Sequence, residues 1–251
     1  MEQIIDEVMK QRVFQQVMDI FIIPEIERRR KEGTIKDGVI ISKMQIVFSL
    51  DKGINEIRLN EEVKAIAKAK INKPITKGEI VYEADVDNIE GVELTDEDSN
   101  CGHITLLLFK NNWVISFDFI YNKERVKSHI EASKEFYESA INSLDNGRLR
   151  PFYENAFASA ELSAKGILLT LPDKKILEGK NHKDRINKFD NWAKLGNVKI
   201  EFSTTLSTLS DLRDSARYLS SDKYKEENPN KIKTILKEMI DFTEKSIIKW
   251  N

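Results

Sequence analysis

The spacing of hydrophobic residues changes once along this chain, near residue 122, and this change limits the fold more than any other feature of the sequence. Before it, apolar side chains at 40–50 and 113–119 alternate with more polar neighbours, which is typical of strands with one buried face. After it, apolar residues recur every three or four positions, as they do in amphipathic helices. The sequence therefore predicts an α+β protein in which an antiparallel β-sheet domain precedes an all-α helical bundle.

Residues 1–122 are predicted to form an N-terminal helix followed by the antiparallel sheet. A second, charged helical piece begins at Pro24 and ends at Gly33. Asp51-Lys52-Gly53 is predicted as a turn, and Asn111-Asn112 as the turn of the clearest hairpin, because Asn tolerates a positive φ. The strands are expected at 40–50, from 57, at 63–71, at 79–84, at 103–110 and at 113–121.

Residues 123–251 are predicted to form a second domain of helices only. Asn146-Gly147 ends the first helix, Pro151 lies in the first turn of the second, and Gly196 ends the third. Short or medium loops between such helices are typical of a bundle. The predicted helices cover 126–144, 151–167, 183–195, 206–219 and 232–247.

Charge is divided unequally between these two domains. Residues 1–122 contain 16 Lys and Arg against 22 Asp and Glu, a net charge of −6. Residues 123–251 contain 24 against 20, a net charge of +4, so the total of −2 conceals the difference. A polyanionic partner is therefore expected at the helical domain rather than at the sheet domain.

Composition and segment length indicate where the protein acts. A single cysteine allows no internal disulfide and fits a reducing compartment. The most apolar early stretch, 13–23, is too short to span a bilayer and lacks the flanks of a secretory signal. We expect a cytoplasmic protein with no membrane partner and no cofactor.

Standard catalytic and metal-binding motifs are absent, including a Gly-rich phosphate loop and a Gly-x-Ser-x-Gly elbow. The acidic stretch from Glu83 to Asp98 is predicted to be a solvated loop or strand edge, because Ile89 stands where a calcium loop needs another oxygen ligand. Cys101 and His103 are predicted to be ordinary residues that lead into the hairpin. No metal site is expected.

Two helices of the C-terminal domain carry the more informative residues. Small residues line one face of the second helix, which lets another helix or a second subunit approach closely, and Glu161 and Lys165 lie one turn apart as an i,i+4 pair. The fourth helix carries Arg213 and Arg217. Arginine is the side chain best suited to phosphate, because its guanidinium donates paired hydrogen bonds and stays charged.

Three segments in this order resemble the HEPN domain, a helical bundle of prokaryotic toxin–antitoxin, antiviral and RNA-processing systems. They read NAFASAELSAKGILL, NHKDRINKF and LSDLRDSARYLSS, and the resemblance covers about 123–250. It implies a homodimer formed through the helical domain, RNA or nucleotide as a partner, and metal-independent ribonuclease activity at a composite site. By resemblance, Arg213 and Tyr218 are the catalytic candidates. The RNA- or nucleotide-binding candidates are Arg217, Lys165, Glu161 and Asn155.

The sequence departs from the family motif, in which a His follows the Arg after four to six residues. Tyr218 stands five places after Arg213, and a phenol, whose ordinary pKa is about 10, is a poor base at neutral pH. A structural alternative pairs Arg213 with a carboxylate such as Asp214 or Glu161 and places Tyr218 in a core or interface. The corresponding alternative function is a non-enzymatic dimerisation module whose β domain binds a partner or a small ligand.

Overall fold

The computed structural model describes residues 2–50, 53, 55–178, 181–218 and 223–247, with side chains from residue 8 onward except 177, 178 and 223. Asp51 and Lys52 of the predicted turn and Leu219 at the end of the fourth predicted helix lie outside the described residues. The chain divides into two units, Met1–Phe119 and Ile120–Asn251. Each unit has a hydrophobic core of its own.

The described residues of the N-terminal unit form two α-helices and six strands. Helix α1 continues through a π-helical turn, Met18–Ile22, into α2. Pro24, which has no N–H to donate, occupies the first turn of α2, a position where helices tolerate proline. Gly33 follows α2 with a φ of +73°, which favours glycine. The elements are α1 Glu2–Val17, α2 Ile23–Lys31, β1 Lys43–Phe48, β2 Asn55–Leu59, β3 Ala65–Ile71, β4 Val86–Leu94, β5 Gly102–Phe109 and β6 Asn112–Asp118.

The strands form two antiparallel sheets, whereas the sequence suggested one. The larger sheet has the order β2-β1-β5-β6, and β3 pairs only with β4. One face of the larger sheet packs against α1, the π-helical turn and α2, with Ile22, Met44, Ile46 and Leu106 at the centre. The N-terminal helix plus antiparallel strands predicted from the sequence are therefore confirmed.

Two local predictions in this unit are wrong. Residues 79–82 form no strand, and the acidic stretch that follows begins with a 3₁₀ turn and continues as β4, whose partner β3 supplies the hydrogen bonds. The hairpin turn is Lys110-Asn111 rather than Asn111-Asn112, since both residues have positive φ and Phe109 pairs with Asn112. A two-residue loop of this conformation matches the twist of the flanking strands, and that match decides the register.

The other face of the larger sheet is polar and nevertheless buried. Arg58 donates to Asp98 at 2.7 Å and to Gln45 at 3.2 Å, and Gln45 donates to Thr105 at 3.2 Å. A buried ion pair is retained only when such hydrogen bonds satisfy both partners. The alternating sequence pattern did not distinguish this buried polar face from a solvated one.

The C-terminal unit is a bundle of α-helices, as predicted. Gly147 and Gly196 follow α3 and α6 with φ of +67° and +82°, and Asn181 and Asn228 cap α6 and α8 through side-chain oxygens. The sequence did not predict the short helix α5. The helices are α3 Lys123–Asp145, α4 Leu149–Leu169, α5 Lys174–Glu178, α6 His182–Lys194, α7 Ile200–Tyr218 and α8 Pro229–Ser246.

Helix α4 lies at the centre of this bundle and packs on α3, α6, α7 and α8. Its small residues are buried against helices of the same chain: Ser133 of α3 donates to the carbonyl oxygen of Ser159 at 2.9 Å and contacts the Ser163 hydroxyl at 2.9 Å. A Cβ on Gly166 would lie 2.9 Å from Thr243 of α8. The small-residue face of α4, which the sequence predicted to pack against another helix or a second subunit, thus packs against α3 and α8 of the same chain.

Candidate functional site

A charged strip follows one side of α4, where Glu154, Phe157, Glu161 and Lys165 succeed one another at three- and four-residue steps. An α-helix has 3.6 residues per turn, so these side chains share a face. Residues of α6 and α7 meet this face, and α3 contributes at its Lys165 end. We call these four α4 residues and their partners the α4 strip.

We divide the α4 strip along the helix into three levels, beginning at its N-terminal end. At the first level, two arginines of α7 lie beside the Glu154 carboxylate. Arg213 Nε donates to Glu154 Oε1 at 3.0 Å, and Arg217 Nη2 lies 3.4 Å from the same oxygen. The Arg213 guanidinium also lies 4.9 Å from the centre of the buried Phe157 ring. The Phe157 ring and the Glu154 carboxylate together hold the guanidinium in place, while several of its five N–H donors remain for a ligand.

At the second level, the Glu161 carboxylate is bonded to two side chains of α6. Its Oε1 bonds to His182 Nδ1 and to Arg185 Nη1. The side chains of Glu161 and Arg185 are each only 12% exposed, whereas that of His182 is 60% exposed. Because a carboxylate oxygen accepts, Nδ1 carries the proton and Nε2 of a neutral His182 is left as an acceptor. The imidazole ring centre lies 6.3 Å from that of Phe157, the ring that also contacts Arg213.

The third level consists of Lys165 and His129 of α3. Burial and the nearby Arg185 lower the pKa of Lys165, and Glu161 opposes this shift. Burial likewise lowers the pKa of His129, with Lys165 and Arg185 adding to the effect, while a 2.7 Å contact to the Arg125 carbonyl oxygen opposes it. Burial and neighbouring positive charge therefore disfavour the protonated forms of both Lys165 and His129.

The structure brings most of the predicted site residues onto the α4 strip. Arg213, Arg217, Glu161 and Lys165 all belong to it, although Arg213 pairs with Glu154 rather than with Glu161, and its Nη1 lies 3.9 Å from Asp214. The predicted Glu161–Lys165 pair is wrong, because α6 presents His182 and Arg185 to the carboxylate instead.

Two further predicted residues lie on the same helices. Tyr218 is the last residue of α7 and is 69% exposed, so the alternative of a core aromatic is wrong. Asn155 is half-buried on α4. The catalytic role of Tyr218 and the binding role of Asn155 stay predictions.

Sequence reasoning missed four members of the site, namely Glu154, Phe157, His182 and Arg185. His182 and Arg185 stand three residues apart, a spacing that puts both on one face of a helix, and this was the available signal. Glu154 and Phe157 have no such signal, because their partners come from α7 and α6, more than twenty residues away.

The N-terminal unit offers a different kind of feature, a groove between α1 and the edge strand β6. Two adjoining cavities of about 680 and 480 Å³ lie here, and the Phe14 and Trp113 ring centres are 5.9 Å apart. His103 is buried, with Nδ1 2.9 Å from the Thr105 hydroxyl, and Cys101 is half-buried in the segment before β5. The larger cavity is lined by Lys10, Gln11, Phe14, Gln15, Asn112, Trp113 and Ile115.

Metal-ligand clusters and membrane-spanning helices are both missing from the described part of the chain. There, no group of three or more His, Cys, Asp or Glu side chains is arranged to hold a metal ion. None of the described helices is long and apolar enough to cross a membrane.

The fold and the site define the class of the C-terminal half: a helical bundle with a strip of arginine, histidine and carboxylate side chains between its helices. Residues 126–247 match the family model of the HEPN domain, which confirms the resemblance noted in the sequence. No family match covers the N-terminal half. No curated protein and no solved structure matches the chain significantly.

Proposed function

We propose that the helical unit binds RNA at the α4 strip and cleaves its phosphodiester chain without a metal ion. The observation that carries this proposal is that Arg213 and His182, from two different helices, contact the same Phe157 ring. In the family motif a His follows the Arg in sequence, and no His follows Arg213 at that spacing; the proposal gives this role to His182, which lies on another helix. The net charge of +4 on 123–251 favours a polyanionic ligand at this unit.

The strip has the groups that such a cleavage needs. His182 accepts the proton of the ribose 2′-hydroxyl at Nε2, while Glu161 at Nδ1 orients the ring and stabilises the imidazolium that forms. Arg213 and Arg217 donate to the phosphorane oxygens as negative charge develops on them. The 5′ oxygen leaves with a proton from water, and the products carry a 2′,3′-cyclic phosphate and a 5′-hydroxyl.

The test is incubation of the purified full chain with a fluorescent RNA pool in excess EDTA. We expect cleavage that produces 2′,3′-cyclic phosphate ends, and a rate lower by about 10²–10⁴ in His182→Asn and Arg213→Lys. Lys194→Gln is the matched control, since Lys194 lies at the other end of α6 in an exposed pair with Asp190. Its cleavage rate should equal that of the unchanged protein.

Two results would contradict the proposal. One is RNA that stays intact after long incubation with protein whose thermal melt shows that its helical unit is folded. The other is cleavage that survives both His182→Asn and Arg213→Lys. The alternative function, an interaction module whose N-terminal unit binds a partner or small ligand, stays a prediction, and the groove between α1 and β6 is the feature that supports it.

A further inference from the structure

Strand β6 lies at the edge of the larger sheet, and half of its backbone groups face away from that sheet. The N–H of Leu108 in β5 donates to the Ser42 carbonyl oxygen at 2.8 Å, so Leu108 and every second residue of β5 bond on the side away from β6. Their cross-strand partners in β6 are Trp113, Ile115 and Phe117, whose backbone groups therefore face outward. Among the described residues, no backbone hydrogen bond reaches these three from the outer side.

This edge lacks the features with which natural sheets prevent strand pairing. Exposed edges are normally protected by Lys, by Pro or by β-bulges. Residues 113–117 contain no charged side chain, no Pro and no Gly, and Phe117 is 61% exposed. Strand β4 contacts β6 through the Ser116 hydroxyl, on the opposite face of the sheet from Trp113 and Ile115, and its strand partner is β3. The outer edge of β6 is therefore open to another strand.

Apolar side chains of α1 extend this surface beyond the strand. Met9 and Val13 are exposed, and they line the smaller cavity of the groove together with Phe117. Contiguous exposed apolar patches mark interaction sites. An occupant of the β6 edge would cover the groove as well.

The sequence of β6 fits a second copy of itself in the antiparallel direction. A two-fold axis at Ile115 places Trp113 opposite the partner's Phe117, so that all three outward-facing residues of one strand meet those of the other. This register makes about six backbone hydrogen bonds, whereas a slip of two residues leaves about four. It pairs aromatic side chains across the strands, and it places Asp118 opposite the partner's Asn112 rather than opposite another carboxylate.

We propose that β6 pairs with the β6 of a second copy and joins the two larger sheets into one antiparallel sheet. The two-fold symmetry puts both α1 helices on the same face of that sheet, where they cover the two grooves. A second copy fits better than a charged partner, because residues 113–117 offer no charge for such a partner to complement. This inference does not rest on the proposed function.

The size of the surface sets the expected affinity. The strand and the groove supply about a dozen residues per copy, against about 20–30 per partner in a standard interface. We therefore expect a reversible dimer with a dissociation constant of about 10 µM.

The test is sedimentation equilibrium of the full chain, at concentrations from well below to well above the expected dissociation constant. Phe117→Lys places a charge at both symmetric contacts and should raise the dissociation constant about a hundredfold, about tenfold at each contact. Ile66→Lys is the matched control, since Ile66 is 56% exposed on β3, and it should dimerise as the unchanged protein does. A thermal melt of Phe117→Lys that matches the unchanged protein shows that the loss is one of association.

A spin-label distance tests the register without any change at Phe117. A nitroxide is attached to Asn112→Cys in a Cys101→Ser background, which removes the one native thiol. Each labelled residue lies three positions from the two-fold axis at Ile115, so the two labelled Cα atoms should lie about 20 Å apart. Double electron–electron resonance measures this distance in the dimer.

Two results would overturn the inference in protein that folds normally. One is a full chain that stays monomeric over the whole concentration range. The other is a dimer that Phe117→Lys does not weaken, since the copies would then associate through another surface, such as the helical unit. If Phe117→Lys unfolds early, the label distance decides: about 20 Å supports the pairing of β6, and a much longer distance contradicts it. RNA cleavage is measured separately, so failure of either proposal leaves the other standing.

Discussion

Gly166 of α4 packs against Thr243 of α8, and its replacement by alanine tests the packing that holds the α4 strip in place. A Cβ on Gly166 would lie 2.9 Å from Thr243 Cγ2, 3.6 Å from Val126 Cγ1 and 3.8 Å from His129 Cβ. Thr243 is fully buried, and its hydroxyl donates to the Met239 carbonyl oxygen at 2.8 Å, which fixes the rotamer. The methyl group therefore has no easy direction in which to move.

Two opposing effects decide the result of Gly166→Ala. Alanine in a helix interior is more favourable than glycine by about 1 kcal/mol. Overpacking of a well-filled core costs about 1–3 kcal/mol. We expect the cost to prevail and the free energy of unfolding to fall by about 1 kcal/mol, which lowers the Tm by about 2–4 °C in a chain of this size.

The Thr243→Ser background provides the matched control. Serine keeps the hydroxyl and lacks Cγ2, so the closest contact disappears. In that background Gly166→Ala should raise the free energy of unfolding by up to about 1 kcal/mol, the propensity gain alone. The measurement is differential scanning calorimetry of all four proteins, read as a double-mutant cycle. A higher Tm for Gly166→Ala in the unchanged background, or equal effects in both, would refute the reasoning.

Two further predictions concern buried polar groups of the helical unit. Glu161→Gln removes the carboxylate that bonds to the 12% exposed Arg185 and should cost about 1–3 kcal/mol in urea unfolding, whereas Glu238→Gln, in an exposed pair with Lys199, should cost less than about 1 kcal/mol; equal costs would contradict the buried pair. Burial raises the pKa of Tyr153 to about 12, above the value of about 10 in the unfolded chain. The unfolded chain then loses this proton first, so the free energy of unfolding should fall between about pH 10 and pH 12. Tyr153→Phe should flatten that part of the curve at little cost near pH 8, because the hydroxyl is buried with no hydrogen-bond partner among the described residues; a curve that keeps its slope in the Phe variant would show that other groups cause it.

Local signals in the sequence predicted the elements well wherever local chemistry decides them. Gly147 and Gly196 end their helices because a left-handed residue is needed there, and that need does not depend on the rest of the fold. The turn of the hairpin was predicted one residue too late, because Lys110 has a positive φ and lysine rarely adopts one. Residues 79–84 were predicted as a strand, but the strand β4 begins at Val86, because pairing with β3 decides where the hydrogen bonds are made.

The sequence by itself determined the change from strands to helices near residue 122 and the resemblance of the second half to the HEPN domain, and it predicted Arg213 as an anion-binding group. Tertiary structure alone decided which groups surround that arginine. Glu154, Phe157 and His182 come from two other helices, and no sequence spacing links them to Arg213. The physical reason is that helix type and helix ends depend on neighbouring residues, whereas a site between helices depends on how their side chains pack. That packing placed Arg213 and His182, from two different helices, against the same Phe157 ring.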